Sequence, residues 1–158
     1  MLRFVQVLCA AVLMVSMGAV TTATHATGVG NEGCTPGYWK NHTDSWQEAS
    51  PDQLVSDKYA AAADTSLSAT TLLQALAGGG GPGVEGAERI LARAAVAAYL
   101  NAAHDDVGYP WRRNARGLDD RPPLVRTVNA AFASQDRATM LDLASRLDRD
   151  NNLGCPLE

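Results

Sequence analysis

The chain has 158 residues, 19% of them charged, and a formal net charge of -4. That length supports one domain with a single core. The mildly acidic balance excludes the basic face that nucleic acid or an anionic membrane requires.

Residues 1–26 have the three parts of an export signal. Arg3 is the only charge, an apolar run follows from Phe4 to Val20, and Thr21 to Ala26 is small and polar, with Thr24 and Ala26 at the positions where signal peptidase wants small residues. A permanent membrane anchor is the competing reading, since the run approaches the length that spans a bilayer; the small-residue exit favours cleavage near Ala26. The residues before Cys9, Gln6-Val7-Leu8, do not fit a lipoprotein cleavage site, so lipid attachment is not expected. The expected mature protein, residues 27–158, is secreted, makes no membrane contact and is slightly more acidic than the precursor.

Two cysteines then remain, Cys34 and Cys155, near the two ends of the mature chain. In an oxidising compartment, with no further soft ligands beside the thiols, such a pair reads as a disulfide and not as a metal site. Cys34 opens the stretch CTPGYWKNH, which ends at His42. Its Pro-Gly pair reads as a turn, and Asn41-His42-Thr43 is formally a glycosylation sequon that is discounted here.

Apolar spacing along the rest of the chain is helical, with no sustained period-2 alternation. Ser50-Pro51-Asp52-Gln53 is a helix start with Ser50 capping and Gln53 completing a capping box, and Leu54, Val55 and Tyr59 form its buried stripe. A second helix is expected from about Ala69 to Ala77 with Leu72, Leu73 and Leu76 on one face. It stops at the run Gly78 to Gly81, which lacks the spacing and the lysine of a phosphate cradle and reads as a flexible linker. The longest helix should span Val84 to Ala103, with Ala87, Ile90, Leu91, Ala94 and Ala98 inward, Glu85, Glu88, Arg89 and Arg93 outward, and Glu85 supporting Arg89. Pro122 to Ser134, capped by Asp120, should bury Leu124, Val125, Val128 and Phe132; Arg137 to Arg149 should bury Met140, Leu141, Ala144 and Leu147. Asn152-Leu153-Gly154 supplies a left-handed stop. The fold class is therefore all-α, a small bundle of about five helices whose ends are joined by one disulfide.

GCTPGYWKNH, TLLQAL before a glycine run, ARAAVAAYLNAAHDDVGYP, VNAAFAS and LGCPL together cover nearly the whole mature chain. In these segments the sequence resembles a family of secreted bacterial-type proteins and domains marked by the C-T-P-G-Y-W-K-N-H motif. The resemblance implies an extracellular or surface location and a module that occurs alone or beside other surface modules; it implies no chemistry. Arg112 to Pro123 departs from the family pattern and reads as an insertion.

The candidate functional residues are Tyr38, Trp39, Lys40, Asn41, His42, Trp46, Tyr109 and Trp111. On the structural reading the rings wedge the N-terminal segment onto the bundle and shield the disulfide, their polar atoms meeting backbone carbonyls. On the functional reading some rings stay exposed as a stacking platform, with Lys40, Asn41 and His42 offering polar contacts to a sugar or peptide. DDVGYPW, Asp105 to Trp111, either folds back to make one patch with Tyr38 and Trp39 or anchors separately.

Catalysis is not expected, since nothing marks Lys40, His42 or Asp44 as a nucleophile activated by another group and no serine lies in a G-x-S-x-G elbow. His42, His104, Asp105 and Asp106 lack metal-ligand spacing, DRDNNLG lacks the glycine position and closing glutamate of a calcium loop, and no cofactor is expected. The four arginines from Trp111 to Arg121, with Asp119 and Asp120 as partners, read as a solvated loop, with a binding loop as the minority option. The leading expectation is a non-catalytic secreted helical module with a structural or adhesive role at the cell surface or in the extracellular matrix. The alternative is a ligand-binding module, with carbohydrate as a candidate ligand, using an exposed aromatic patch. The expected partner is thus a surface protein or glycan.

Overall fold

The computed structural model describes residues 30–113 and 122–158. The export-signal reading of residues 1–26, and the pairing of the arginine loop with Asp119 and Asp120, lie outside the described residues. Within them the fold is all-α: six α-helices, two 3₁₀ turns and three isolated β-bridges, with no strand. No helix is long and apolar enough to cross a membrane among the described residues.

The centre of the bundle is a 21-residue helix, Gly83–Ala103, which becomes α4 when the elements are numbered in chain order. Its alanines at positions 87, 92, 94, 95, 97 and 98 are buried, and side chains of one methyl group let neighbours approach its backbone closely. The main neighbour is the last helix, α6, Arg137–Asn151. Asp136 caps α6, accepting from the Thr139 amide at 2.7 Å and its hydroxyl at 2.6 Å. Those bonds hold the Asp136 carboxyl below its ordinary pKa. Between α4 and α6 in sequence lies α5, Leu124–Ala133, with Leu124, Val128 and Phe132 buried and Val125 only half-buried. The base of the arginine loop is pinned as it enters α5: Arg112 bridges Pro123, and the Leu124 amide donates to the Arg112 carbonyl at 2.8 Å.

Helix α3, Leu72–Ala77, starts later than Ala69 because Thr71 and Gln74 form a reciprocal capping box. Leu72 and Leu76 enter the core; Leu73 stays at its margin. The expected start at Ser50 is displaced further. The Gln53 side chain does accept from the Ser50 amide at 3.0 Å, yet that box closes a turn and not a helix. The amides of Val55 and Leu72 donate to the carbonyls of Thr70 and Gln53, and Leu54 bridges Thr71. That pairing holds Leu54 extended, so α2 is only Val55–Lys58 and passes into the 3₁₀ turn Ala60–Asp64. Val55 and Tyr59 are buried as expected, and the Tyr59 hydroxyl donates to the Ala95 carbonyl at 2.7 Å.

The helix absent from the sequence reading lies in the opening motif itself. Pro36–Asn41 is α1, with Thr35 as N-cap accepting from the Tyr38 amide and Pro36 at the first helical position. Another departure is Glu88, expected outward but buried on α4, where it accepts from the amide and hydroxyl of Ser66. Glu85 and Arg89 do pair along the exposed face, at 3.8 Å.

The glycine run is a docked strap and not a free linker. Arg89 donates to the Gly80 carbonyl, and Arg137 donates to the carbonyls of Gly81 and Gly83. The strap lies so close to α4 that a Cβ on Gly86 would stand 2.0 Å from the Gly81 carbonyl oxygen. Only glycine fits there.

Candidate functional site

The eight candidate residues are brought into one region, but most of their rings face inward. Cys34 and Cys155 form the disulfide, with Cα atoms 4.4 Å apart across a separation of 121 residues. Beside it the Gly33 amide donates to the Gly154 carbonyl at 2.9 Å. Gly154 has φ of +121°, the left-handed stop expected after α6. A Cβ on Gly33 would fall 2.1 Å from the Asp150 carbonyl oxygen, so the chain entering the motif is pressed against the end of α6.

Trp39 is fully buried. Its indole Nε1 donates to Asn101 Oδ1 at 3.1 Å, and the same oxygen accepts from the Cys34 amide at 2.7 Å. Asn101 Nδ2 in turn donates to the Cys34 carbonyl at 2.9 Å and to Asn151 Oδ1 at 3.0 Å. Asn151 accepts from the Tyr109 hydroxyl at 2.7 Å and donates to the Ala94 carbonyl at 3.0 Å. Four separated segments are therefore joined by two buried side-chain amides. Asn101 has both amide protons and both acceptor positions used. A buried network with its members satisfied in this way fixes one geometry, because any displaced member leaves a desolvated polar atom unpaired.

Tyr109 and Trp111 are buried on the far side of this network. Burial, reinforced by the nearby carboxylate of Asp150, pushes the Tyr109 hydroxyl well above the ordinary tyrosine pKa, and burial does the same to Tyr59. Trp111 Nε1 donates to Asp150 Oδ2 at 2.6 Å, and the Arg146 guanidinium lies over its ring at 5.2 Å. The two aromatic clusters thus form neither a single patch nor separate anchors; the Asn101–Asn151 pair connects them. The expectation that indole and phenol groups meet backbone carbonyls holds for Trp46, which donates to the Trp39 carbonyl at 2.9 Å, and for Tyr59. Trp39, Tyr109 and Trp111 find side-chain partners instead.

The exposed aromatic platform is corrected by this geometry. Trp39, Tyr109 and Trp111 are interior, Tyr38 is buried edge-on against Trp39, and Trp46 is half-buried. Lys40, Asn41 and His42 do stand at the surface. The His42 ring stacks on Tyr38 at 4.2 Å and bonds through Nδ1 to the Tyr38 carbonyl at 2.9 Å, ending α1. Among the described residues no group of three His, Cys, Asp or Glu side chains converges to hold a metal ion.

The disulfide, the motif and the Asn101–Asn151 network together form a clasp, and a second feature adjoins it. A slot of about 560 Å³ runs between the glycine strap, the start of α1 and the outer faces of α4 and α6. Its walls are the glycines at 78–80 and residues 35–37; Ile90, Ala94 and Ala144 form the floor; Arg93, Ser145 and Asp148 stand at the rim.

Asn101, Asn151, Glu88 and the slot were not among the sequence-derived candidates. A signal for both asparagines exists: Asn101 falls three residues after Ala98, and Asn151 four after Leu147, each extending an apolar stripe by one polar residue. The bundle and clasp define a class, an all-α domain closed by a disulfide over a buried amide network. Comparison with known protein families, curated proteins and solved structures finds no match to this chain.

Proposed function

We propose that the protein is a secreted, non-catalytic helical module with a structural or adhesive role at the cell surface or in the extracellular matrix, belonging with the proteins marked by the C-T-P-G-Y-W-K-N-H motif. In this reading residues 1–26 direct export and are removed near Ala26, the disulfide forms in the oxidising compartment, and the partner is a surface protein or glycan. One observation carries the structural role of the motif: Trp39 is fully buried and bonded to Asn101, the residue that also holds both backbone groups of Cys34. The motif's most distinctive ring thereby supports the closure of the chain. His42, the motif's only imidazole, is engaged with Tyr38.

The test is acrylamide quenching of tryptophan emission on the exported protein carrying Trp46→Phe, oxidised and reduced, with N-terminal sequencing of the material from the medium. The remaining indoles, Trp39 and Trp111, should resist quenching while the disulfide is closed and become accessible on reduction, and the chain should begin at Thr27. Free quenching of the oxidised, fully helical protein overturns the clasp; an uncleaved chain retained in the cytoplasm overturns the secreted role. The ligand-binding alternative gains support from the slot, and no longer from the aromatic rings.

A further inference from the structure

The slot between the strap and helices α4 and α6 has features that the clasp does not need. Its volume of about 560 Å³ lies within the range of small-ligand sites, roughly 300 to 1,000 Å³. Arg93 rises from α4 and Asp148 from α6, both exposed, and among the described residues neither side chain has a hydrogen-bond or ion-pair partner; the Asp148 carbonyl accepts from Asn152 Nδ2 at 2.7 Å. Three arginines nearby are engaged: Arg89 with Gly80 and Glu85, Arg137 with Gly81 and Gly83, Arg146 over Trp111. Two opposite charges on one rim, each unpaired, complement an occupant that carries both signs.

The walls narrow the class further. Gly78 has φ of -65° and ψ of 149°, an extended backbone, and a Cβ placed on Gly79 would meet nothing within 4 Å. One wall is therefore glycine main chain with no side chains of its own, bonded to Arg89 at Gly80 and open at Gly79 to another extended backbone. Floor and rim are Ile90, Ala94, Ala144 and Ser145, three of them small, and no aromatic ring lines the slot on which a sugar face could stack.

We infer that this slot binds a short peptide with free ends, an extended segment of two or three residues whose carboxylate pairs with Arg93 and whose ammonium pairs with Asp148. Three extended residues span about 10 Å. A guanidinium suits the planar carboxylate because it offers two parallel donors. The inference goes beyond the structural role proposed above and is independent of the clasp, since Arg93 and Asp148 make none of its hydrogen bonds.

The test is a titration of the ¹⁵N-labelled exported protein with Ala-Ala-Ala, followed by amide shifts. Saturable shifts are expected at Gly79, Gly80, Ala94 and Ser145. Binding should weaken at least tenfold for the same tripeptide acetylated and amidated at its ends, and at least tenfold for Arg93→Ala and for Asp148→Ala. Ser145→Trp should abolish it by filling the slot. Helical circular dichroism and resistance of Trp39 to quenching, measured on each variant, separate loss of the slot from loss of the clasp. The inference is overturned if the free tripeptide moves none of these amides, if the blocked tripeptide binds equally well, or if only a chitin trisaccharide binds there.

Discussion

The two halves of α4 are covered in opposite ways. Toward its C-terminus, Asn101 is buried under the motif and joined to Trp39, Cys34 and Asn151, with a disulfide closing over the same place. Toward its N-terminus, the cover is the glycine backbone of residues 78–81, held from outside by the partly exposed side chains of Arg89 and Arg137. The two halves also differ in composition, since most of the alanines of α4 lie in its C-terminal half. Buried amides with no water to compete make the first cover costly to lift; solvated guanidiniums bonded to carbonyls make the second cheap. The slot opens beside the second.

The largest loss is expected at Asn101. Replacing it with leucine keeps the branched shape but strands the amide and carbonyl of Cys34 and the Trp39 indole in a dry interior. A loss of at least about 3 kcal/mol is expected in urea denaturation. A loss below 1 kcal/mol would mean that the disulfide alone holds this end.

An intermediate effect is expected in alkaline titration. Tyr59 and Tyr109 have folded pKa values raised above the ordinary value of 10.0, chiefly by burial. Their neutral forms are favoured in the folded protein, so their contribution is fully present below pH 10 and is lost as pH rises above it. Each should remove about 1.4 kcal/mol of stability per pH unit in that window. Thermal melts between pH 9 and 12 check this, and Tyr109→Phe should flatten the slope by one proton's worth.

The smallest effect belongs to the strap. Arg137→Ala should cost under about 1 kcal/mol overall, because its head group is exposed, yet it should speed amide exchange at Gly81 and Gly86 while leaving Asn101 and Trp39 protected. Equal acceleration at both ends would show that the two covers are one cooperative unit.

Much of this organisation was readable from the residues, and the failures are instructive. The long helix appeared where the Ala87–Leu91–Ala94–Ala98 stripe placed it, since periodicity over twenty residues outweighs any local preference. The pair Cys34 and Cys155 was legible from compartment logic alone. At Ser50 a sound capping signal failed because backbone pairing of residues 53–55 with 70–72, distant in sequence, pulled the segment straight. At Thr35 the reverse happened: a capping threonine followed by proline was masked by the turn-like Pro-Gly pair, and α1 formed there. The glycine run has the composition of a loose linker, yet it docks, because its docking depends on Gly86 and on arginines from α4 and α6. The clasp residues were half legible. The rings announced themselves by rarity, but the asparagines that organise them look like ordinary surface polar residues until they are placed on their helical stripes.

The disulfide also decides how the domain carries load. Tension entering ahead of Cys34 and leaving beyond Cys155 crosses between them through one covalent bond and bypasses the 121 residues of separation that hold the bundle. Roughly 400 Å of stretchable chain is thereby removed from the line of force. With the bond closed, the helices are cargo on a short inextensible link; with it reduced, the same helices become the link.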